Sequence, residues 1–192
     1  MPEYTPFFND DGMPEPPLAG NEIDSVIGSL ERQRNTLAWK CRGLSAEQMD
    51  VSIGASSVTL GGLLKHLAGA EATKFSWMFL GRSPGSPWDD LDWDADPDWP
   101  WTSAAQDSPE ELMQLWRSEV AKSRAVVAEA LAGDGLDTPA WFTTPEGQSP
   151  NLRRLMMDMI EEYARHTGHA DLIRESIDGL VGEDPPAGTP LP

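Results

Sequence analysis

Apolar residues recur at helical spacing in four long stretches of the chain, a pattern that predicts four amphipathic helices. The first helix is predicted over about residues 22–42, and Gly43 is its natural stop. The second is predicted over about residues 59–80. Its bulky stripe consists of Leu60, Leu64, Leu67, Phe75 and Met78. Residues 45–48 predict a short turn of helix between these two.

The third and fourth helices carry clear boundary signals. Residues 108–111 read Ser-Pro-Glu-Glu, which is a cap, a proline at the first helical position and a capping-box acid, and this helix is predicted to end at Gly133. The fourth helix is predicted to open at Ser149 and Pro150 and to run to about Ile177. Four long helices with a long link between the second and third predict an all-α, up-and-down four-helix bundle.

The link of residues 81–107 is the least regular part of the predicted bundle. It interleaves a series of aspartates with Trp88, Trp93, Trp99 and Trp101. So many tryptophans argue against disorder. Two interpretations stay open: a structural flap over the bundle, or one wall of a substrate pocket.

The chain as a whole divides into three predicted parts. We expect an extended arm over residues 1–20, the bundle domain over residues 21–183, and a disordered tail over residues 184–192.

Composition narrows the classes of partner. The length of 192 residues fits one domain, and the net charge of -18 argues against binding to nucleic acid or to an anionic membrane surface. No apolar run reaches the roughly 20 residues that span a bilayer, and the first residues lack the pattern of a signal peptide. The single cysteine, Cys41, excludes an internal disulfide and suits a reducing cytoplasm, where we expect an ordinary buried thiol.

The candidate chemistry lies with the three histidines of the chain. His166 and His169 are three residues apart and share one face of the fourth helix, together with Glu162 and Tyr163. Because buried polar groups need partners, these residues favour a metal site, which His66 on the second helix could complete. Small residues around His66 leave room beside it. Ordinary semi-buried histidines are the alternative.

Two acidic residues near the histidines have further interpretations. Glu162 is the second choice as a metal ligand, and its alternative is a surface or hydrogen-bonded carboxylate. Asp171 lies well round the helix from His169, so we expect it to be solvated or to pair with Arg174 or Arg165.

Three segments also resemble a known family. The sequences HTGHADLIRESIDG, LGGLLKHLAGAE and WRSEVAKSRAVV are similar to the DinB-like superfamily, and more narrowly to its "mini-circle protein" branch. The resemblance implies a four-helix bundle, often dimeric, with a divalent metal on three histidines that correspond to His66, His166 and His169. The superfamily includes mycothiol-dependent maleylpyruvate isomerase and low-molecular-weight thiol S-transferases. Many members space the histidines of the fourth helix four apart rather than three, which leaves the metal's identity open.

The combined expectation is a cytoplasmic, divalent-metal-dependent thiol transferase or isomerase that uses a low-molecular-weight thiol such as mycothiol. The metal would be Zn²⁺, Ni²⁺ or Fe²⁺, Glu162 or Tyr163 would manage a proton, and the protein would form a homodimer. The alternative is a non-catalytic, stress-associated dimeric bundle that binds metal. An accessible coordination position favours the enzyme, and a closed site favours the alternative.

Overall fold

A computed structural model describes residues 7–8 and 12–186, and this part of the chain is mostly helical, which agrees with the predicted all-α class. The α-helices are α1 (Glu22–Lys40), α2 (Ala46–Met49), α3 (Leu60–Glu71), α4 (Trp99–Thr102), α5 (Pro109–Ala132) and α6 (Leu152–Asp178). Short 3₁₀ turns lie at Trp88–Asp90, Ala104–Gln106 and Gly135–Asp137. The described strands, β1 (Phe7–Phe8) and β2 (Pro14–Glu15), form one antiparallel pair in which Phe7 lies opposite Glu15.

Side-chain caps fix the starts of the long helices. The Ser108 side chain accepts from the backbone N–H of Glu111, and the Glu111 carboxylate accepts from that of Ser108, which is the predicted capping box. The start of α6 was predicted too early. Its cap is Asn151, whose backbone is extended and whose side chain accepts from the backbone N–H of Arg154, while the carbonyl of Pro150 accepts from the backbone N–H of Ala140.

The second predicted helix is not α-helical throughout. α3 gives way to a π-helix, Ala72–Phe79, which carries the same axis onward with a wider turn. Phe75 and Phe79 stay buried, but Met78 lies only partly buried beside the core. The carbonyls of Met78 and Phe79 accept from the backbone N–H groups of Phe142 and Trp141, which ties the end of the π-helix to the connection before α6.

The long helices bury a single apolar core. α1 packs along α6, and α3 packs against both α5 and α6. Cys41 lies in this core, and burial raises the pKa of its thiol to about 12, as expected for an unreactive cysteine. Asp171 pairs with Lys40 at 2.7 Å rather than with either predicted arginine, because Arg174 is engaged by Asp178.

Segments on both sides of the helices pack against α1. Gly28 allows this on the N-terminal side, since a Cβ there would lie 2.7 Å from the Cα of Pro16. On the C-terminal side, Arg32 pairs with Asp184 at 2.6 Å and Pro185 is buried. Residues 1–6 and 9–11 of the predicted arm and residues 187–192 of the predicted tail lie outside the described residues. Within the described part, none of the helices has the length and apolar character to cross a membrane.

Candidate metal centre

Two helices bring three potential metal ligands together. His66 comes from α3, while Glu162 and His166 lie one turn apart on α6. Glu162 Oε1 lies 2.9 Å from His66 Nε2 and 3.3 Å from His166 Nε2. One ligand atom from each of the three residues falls within 4.8 Å of the other two. The Glu162 carboxylate, the second choice from the sequence, thus sits between the two imidazoles.

His169 lies beside this group rather than inside it. It is exposed, and its Nδ1 is 3.4 Å from Nδ1 of His166. His166 therefore turns Nε2 toward Glu162 and Nδ1 toward His169. Because one imidazole offers one nitrogen to a given ion, a ligand set through Nε2 and a set through Nδ1 are alternatives. The pairing of the two Nδ1 atoms also matches the second-shell hydrogen bond that orients many metal-binding histidines.

Trp101 closes one side of His66. Their rings stack with centroids 4.8 Å apart and planes 23° apart. Gly62 makes this possible, since a Cβ there would lie 2.8 Å from the Trp101 ring. The small residues around His66 were expected to leave room, but at Gly62 the indole fills that space. The tryptophan-rich segment therefore packs on α3 and reaches the candidate centre in the same place.

The other tryptophans of this segment anchor it. Trp88 is buried in the core cluster, and its ring lies against Gly69. Trp99 packs edge-on against Trp88 and faces the ammonium of Lys65 at 4.1 Å. Trp93 is 43% exposed. Contacts of both kinds, with the core and with His66, leave both interpretations of the segment compatible with the structure.

The electrostatics favour the ligand forms of these groups. Burial lowers the pKa of His166, and the neighbouring His66 acts in the same direction. Burial works against the ionised form of Glu162, but the hydrogen bond with His66 and the charge of His166 outweigh it and hold its pKa below the usual range. A neutral imidazole at His166 and a carboxylate at Glu162 are the forms that bind metal ions at neutral pH.

Tyr163, the other predicted proton-handling residue, points to a different cluster. Its hydroxyl donates to Glu71 Oε1 at 2.8 Å and accepts from Trp116 Nε1 at 2.8 Å. Burial and the negative charge of Glu71 raise its pKa well above the ordinary value. Arg34 completes this cluster by pairing with Glu71. Arg34 and Glu71 were not predicted from the sequence, although Arg34 lies at helical spacing from the apolar residues Leu30 and Leu37, where a charge indicates a buried partner.

The donor set fits a divalent metal ion. Two imidazoles and one carboxylate are a known ligand set for catalytic Zn²⁺ and for non-haem Fe²⁺. The side chains of His66 and Glu162 are 27% and 36% exposed, so a small molecule can approach the group from solvent. In a chain of net charge -18, a cation at this position is favoured by the surrounding field.

Comparison with known proteins identifies the family. No curated protein matches the chain. A model of the family described as mycothiol-S-transferase matches residues 25–179, which include His66, Glu162, His166 and His169. The match confirms the resemblance to the mycothiol-related enzymes of the DinB-like superfamily. Because the match covers most of the chain and all of the candidate centre, the chain belongs to the mycothiol-S-transferase family.

Proposed function

We propose that this protein is a divalent-metal-dependent thiol S-transferase that uses a low-molecular-weight thiol such as mycothiol. The observation that carries the proposal is the convergence of His66, Glu162 and His166 within 4.8 Å. The family match supports the thiol as the class of cofactor. The solvent access of His66 and Glu162 favours this function over a non-catalytic metal-binding bundle, whose site would be closed.

The ligands we assign are Nε2 of His66, Oε1 of Glu162 and Nε2 of His166. When bound there, Zn²⁺, Ni²⁺ or Fe²⁺ would supply the positive charge that favours a thiolate over a thiol at neutral pH. His169 then acts as a positioning residue: it accepts a hydrogen bond from Nδ1–H of His166 and so selects the tautomer whose Nε2 is free. The set of three histidines predicted from the sequence, His66, His166 and His169, is the alternative.

The chain's own groups also handle the proton and the solvent. His169 is exposed, so its imidazole can pass the proton lost by the thiol to bulk water. Trp101 covers one face of His66 and keeps water from that side. In the transfer, the thiolate sulfur forms a bond to an electrophilic carbon of the substrate, and the leaving group departs with its bonding electrons. Cys41 is buried, so the nucleophile comes from the small molecule.

The finer features of the fold belong to the same proposal. The packing of α1 on α6, and of α3 on α5 and α6, supports an up-and-down four-helix bundle with a long crossover before α5. The homodimer and the cytoplasmic location stay predictions.

A transfer assay tests the proposal. The protein loaded with Zn²⁺, Ni²⁺ or Fe²⁺ is mixed with mycothiol and a thiol-reactive electrophile such as monobromobimane, and conjugate formation is followed. We expect a rate more than about tenfold above those of His66→Ala and His166→Ala, with Cys41→Ser unchanged. Equal rates for the wild type and both histidine variants would rule out this function and leave the non-catalytic bundle.

A further inference from the structure

A cavity of about 280 Å³ lies between the end of the π-helix, the connection before α6 and the first turns of α6. Met78, Phe142 and Leu155 form its apolar part. Pockets for drug-sized ligands measure about 300–1,000 Å³. The cavity is therefore suited to one ring of a larger molecule rather than to the whole of it.

The cavity lies along the same helix face as the candidate metal centre. Arg154 and Asp158 line the cavity, and Glu162 and His166 follow at the same interval of four residues on α6. Each interval advances by roughly 6 Å along the helix axis. The cavity therefore begins about one turn away from Glu162. A molecule whose ring occupies the cavity can extend along α6 and present another group to the metal centre.

The polar groups of the cavity suit vicinal hydroxyl groups. Asp158 is held by Arg154 at 2.5 Å and by Lys74 at 3.3 Å, so its carboxylate is fixed between two donors. Thr144 and Gln148, also in the lining, add a hydroxyl and an amide. A carboxylate, a guanidinium and an amide supply both acceptors and paired donors, which polyhydroxylated rings need. The two cations and one carboxylate also form a locally less acidic spot in a strongly acidic chain.

Exposed aromatic rings lie beside Phe142, one of the residues that line the cavity. Trp77 and Trp141 are 42% and 61% exposed, and the centroids of their rings are 6.4 Å apart. Trp77 also contacts the ring of Phe142, which lines the cavity, at 5.6 Å. Gly81 seats Trp141, because a Cβ at Gly81 would lie 2.4 Å from the indole. The apolar C–H face of a sugar ring can pack on the face of such an aromatic ring.

We propose that this cavity binds a polyhydroxylated ring, a sugar or cyclitol, of the thiol cofactor, while the cofactor's sulfur reaches His66, Glu162 and His166. The inference rests on the proposed function, because it assigns a position to the other end of the same thiol. The geometry favours a neutral ring over a simple anion, because Lys74 and Arg154 already form ion pairs with Asp158.

The test uses a probe without sulfur, so that binding is measured independently of catalysis. N-acetylglucosaminyl-inositol, the ring portion of mycothiol with its nitrogen kept as a neutral amide, is titrated into the full chain by isothermal titration calorimetry. We expect saturable binding that Asp158→Asn weakens at least tenfold and that His166→Ala leaves unchanged. Asp137→Asn is the matched control, because Asp137 also pairs with an arginine of α6, Arg153, but lies on an exposed 3₁₀ turn outside the cavity.

The outcomes separate this inference from the proposed function. No binding of the probe, or equal binding by the wild type and Asp158→Asn, would overturn the ring site even if thiol transfer occurs. Tight binding of inorganic phosphate that displaces the probe would also overturn it, in favour of an anion site. Probe binding that depends on Asp158 in a protein without transferase activity would support the ring site and refute the transferase.

Discussion

Two polar clusters lie next to each other between the helices, and they have opposite characters. The buried ion cluster consists of Arg34, Glu71, Trp116 and Tyr163. The histidine cluster consists of His66, Glu162, His166 and His169. Both clusters contain residues of α3 and α6. Glu162 and Tyr163 are neighbours in the sequence, but their side chains belong to different clusters.

The buried ion cluster is complete in itself. Nε and Nη2 of Arg34 donate to the two carboxylate oxygens of Glu71 at 2.8 and 2.7 Å, and Nη1 donates to Glu31 at 2.7 Å. Glu71 has no solvent exposure and also accepts from Tyr163. A bidentate pair with its remaining groups hydrogen-bonded needs no ligand. This cluster therefore positions helices.

The histidine cluster is neither closed nor complete. His66 and His166 both face the same oxygen of Glu162, and the next contact of His166 is with another imidazole. Two imidazole nitrogens beside one partly exposed carboxylate form a donor set that a divalent cation can occupy. The comparison teaches that similar polar groups on the same two helices differ in exposure: the buried and fully paired cluster serves structure, and the partly exposed cluster is the one for which we propose ligand binding.

The largest expected effect separates the clusters by stability. Glu71→Ala removes the bidentate partner of the buried Arg34 and leaves only its contact with Glu31, so the free energy of unfolding should fall by about 3–5 kcal/mol. Glu162→Ala, at a partly exposed position, should change it by less than about 1 kcal/mol. Urea denaturation followed by circular dichroism measures both. Equal losses would show that the histidine cluster is also structural.

The next effect separates the members of the histidine cluster by metal affinity. His66→Ala and His166→Ala should remove most of the bound divalent metal, measured by elemental analysis of protein equilibrated with metal. His169→Ala should weaken affinity by about 10–100-fold, as for other residues that orient a ligand. A loss as complete as in the other two variants would instead favour the three-histidine ligand set.

Trp101→Ala should have a smaller effect on the same affinity. Loss of the ring that stacks on His66 frees this imidazole to rotate, and we expect a decrease of about tenfold. Gly62→Ala should act in the same direction, because the added methyl group displaces the indole. Trp101→Phe keeps a ring and serves as the control. Unchanged metal affinity in Trp101→Ala and Gly62→Ala would show that Trp101 contributes to packing only.

The smallest effect concerns Cys41. Its buried thiol should react with a disulfide reagent only as fast as the protein unfolds, and Cys41→Ser should leave metal and thiol binding unchanged. Because its pKa is raised to about 12 in the folded state, the unfolded chain loses this proton first as pH rises. Stability from this group is therefore complete below about pH 8.5 and falls above it. Rapid labelling of Cys41 in the native protein at pH 8 would contradict the burial of its thiol.

The predictable parts of the fold are those set by local sequence. The helical periodicity, the capping box at Ser108 and the end of the fourth helix near Ile177 depend on nearby residues, and the structure agrees with them. The π-helix and the late start of α6 could not be predicted, because the backbone hydrogen bonds that join the end of the π-helix and Pro150 to residues 140–142 leave no periodic signal in the sequence.

The candidate site divides in the same way. The shared helix face of Glu162, His166 and His169 follows from helix periodicity, and His66 on the second helix was the predicted completion of that site. The direction in which Tyr163 points, and the arrival of Trp101 on His66, depend on packing between helices and on a long connection, which periodicity does not encode. Glu162 is intermediate: its helix face was predictable, but its position between two imidazoles was not.

The most direct test of the central claim is a titration with Co²⁺ followed by optical absorption, since this ion reports its own ligands. We predict one Co²⁺ per chain with ligand-field bands that disappear in His66→Ala and His166→Ala and shift in Glu162→Gln. Addition of mycothiol should produce a sulfur-to-metal charge-transfer band with release of a proton. Co²⁺ spectra that are the same in the wild type and both histidine variants would contradict the account.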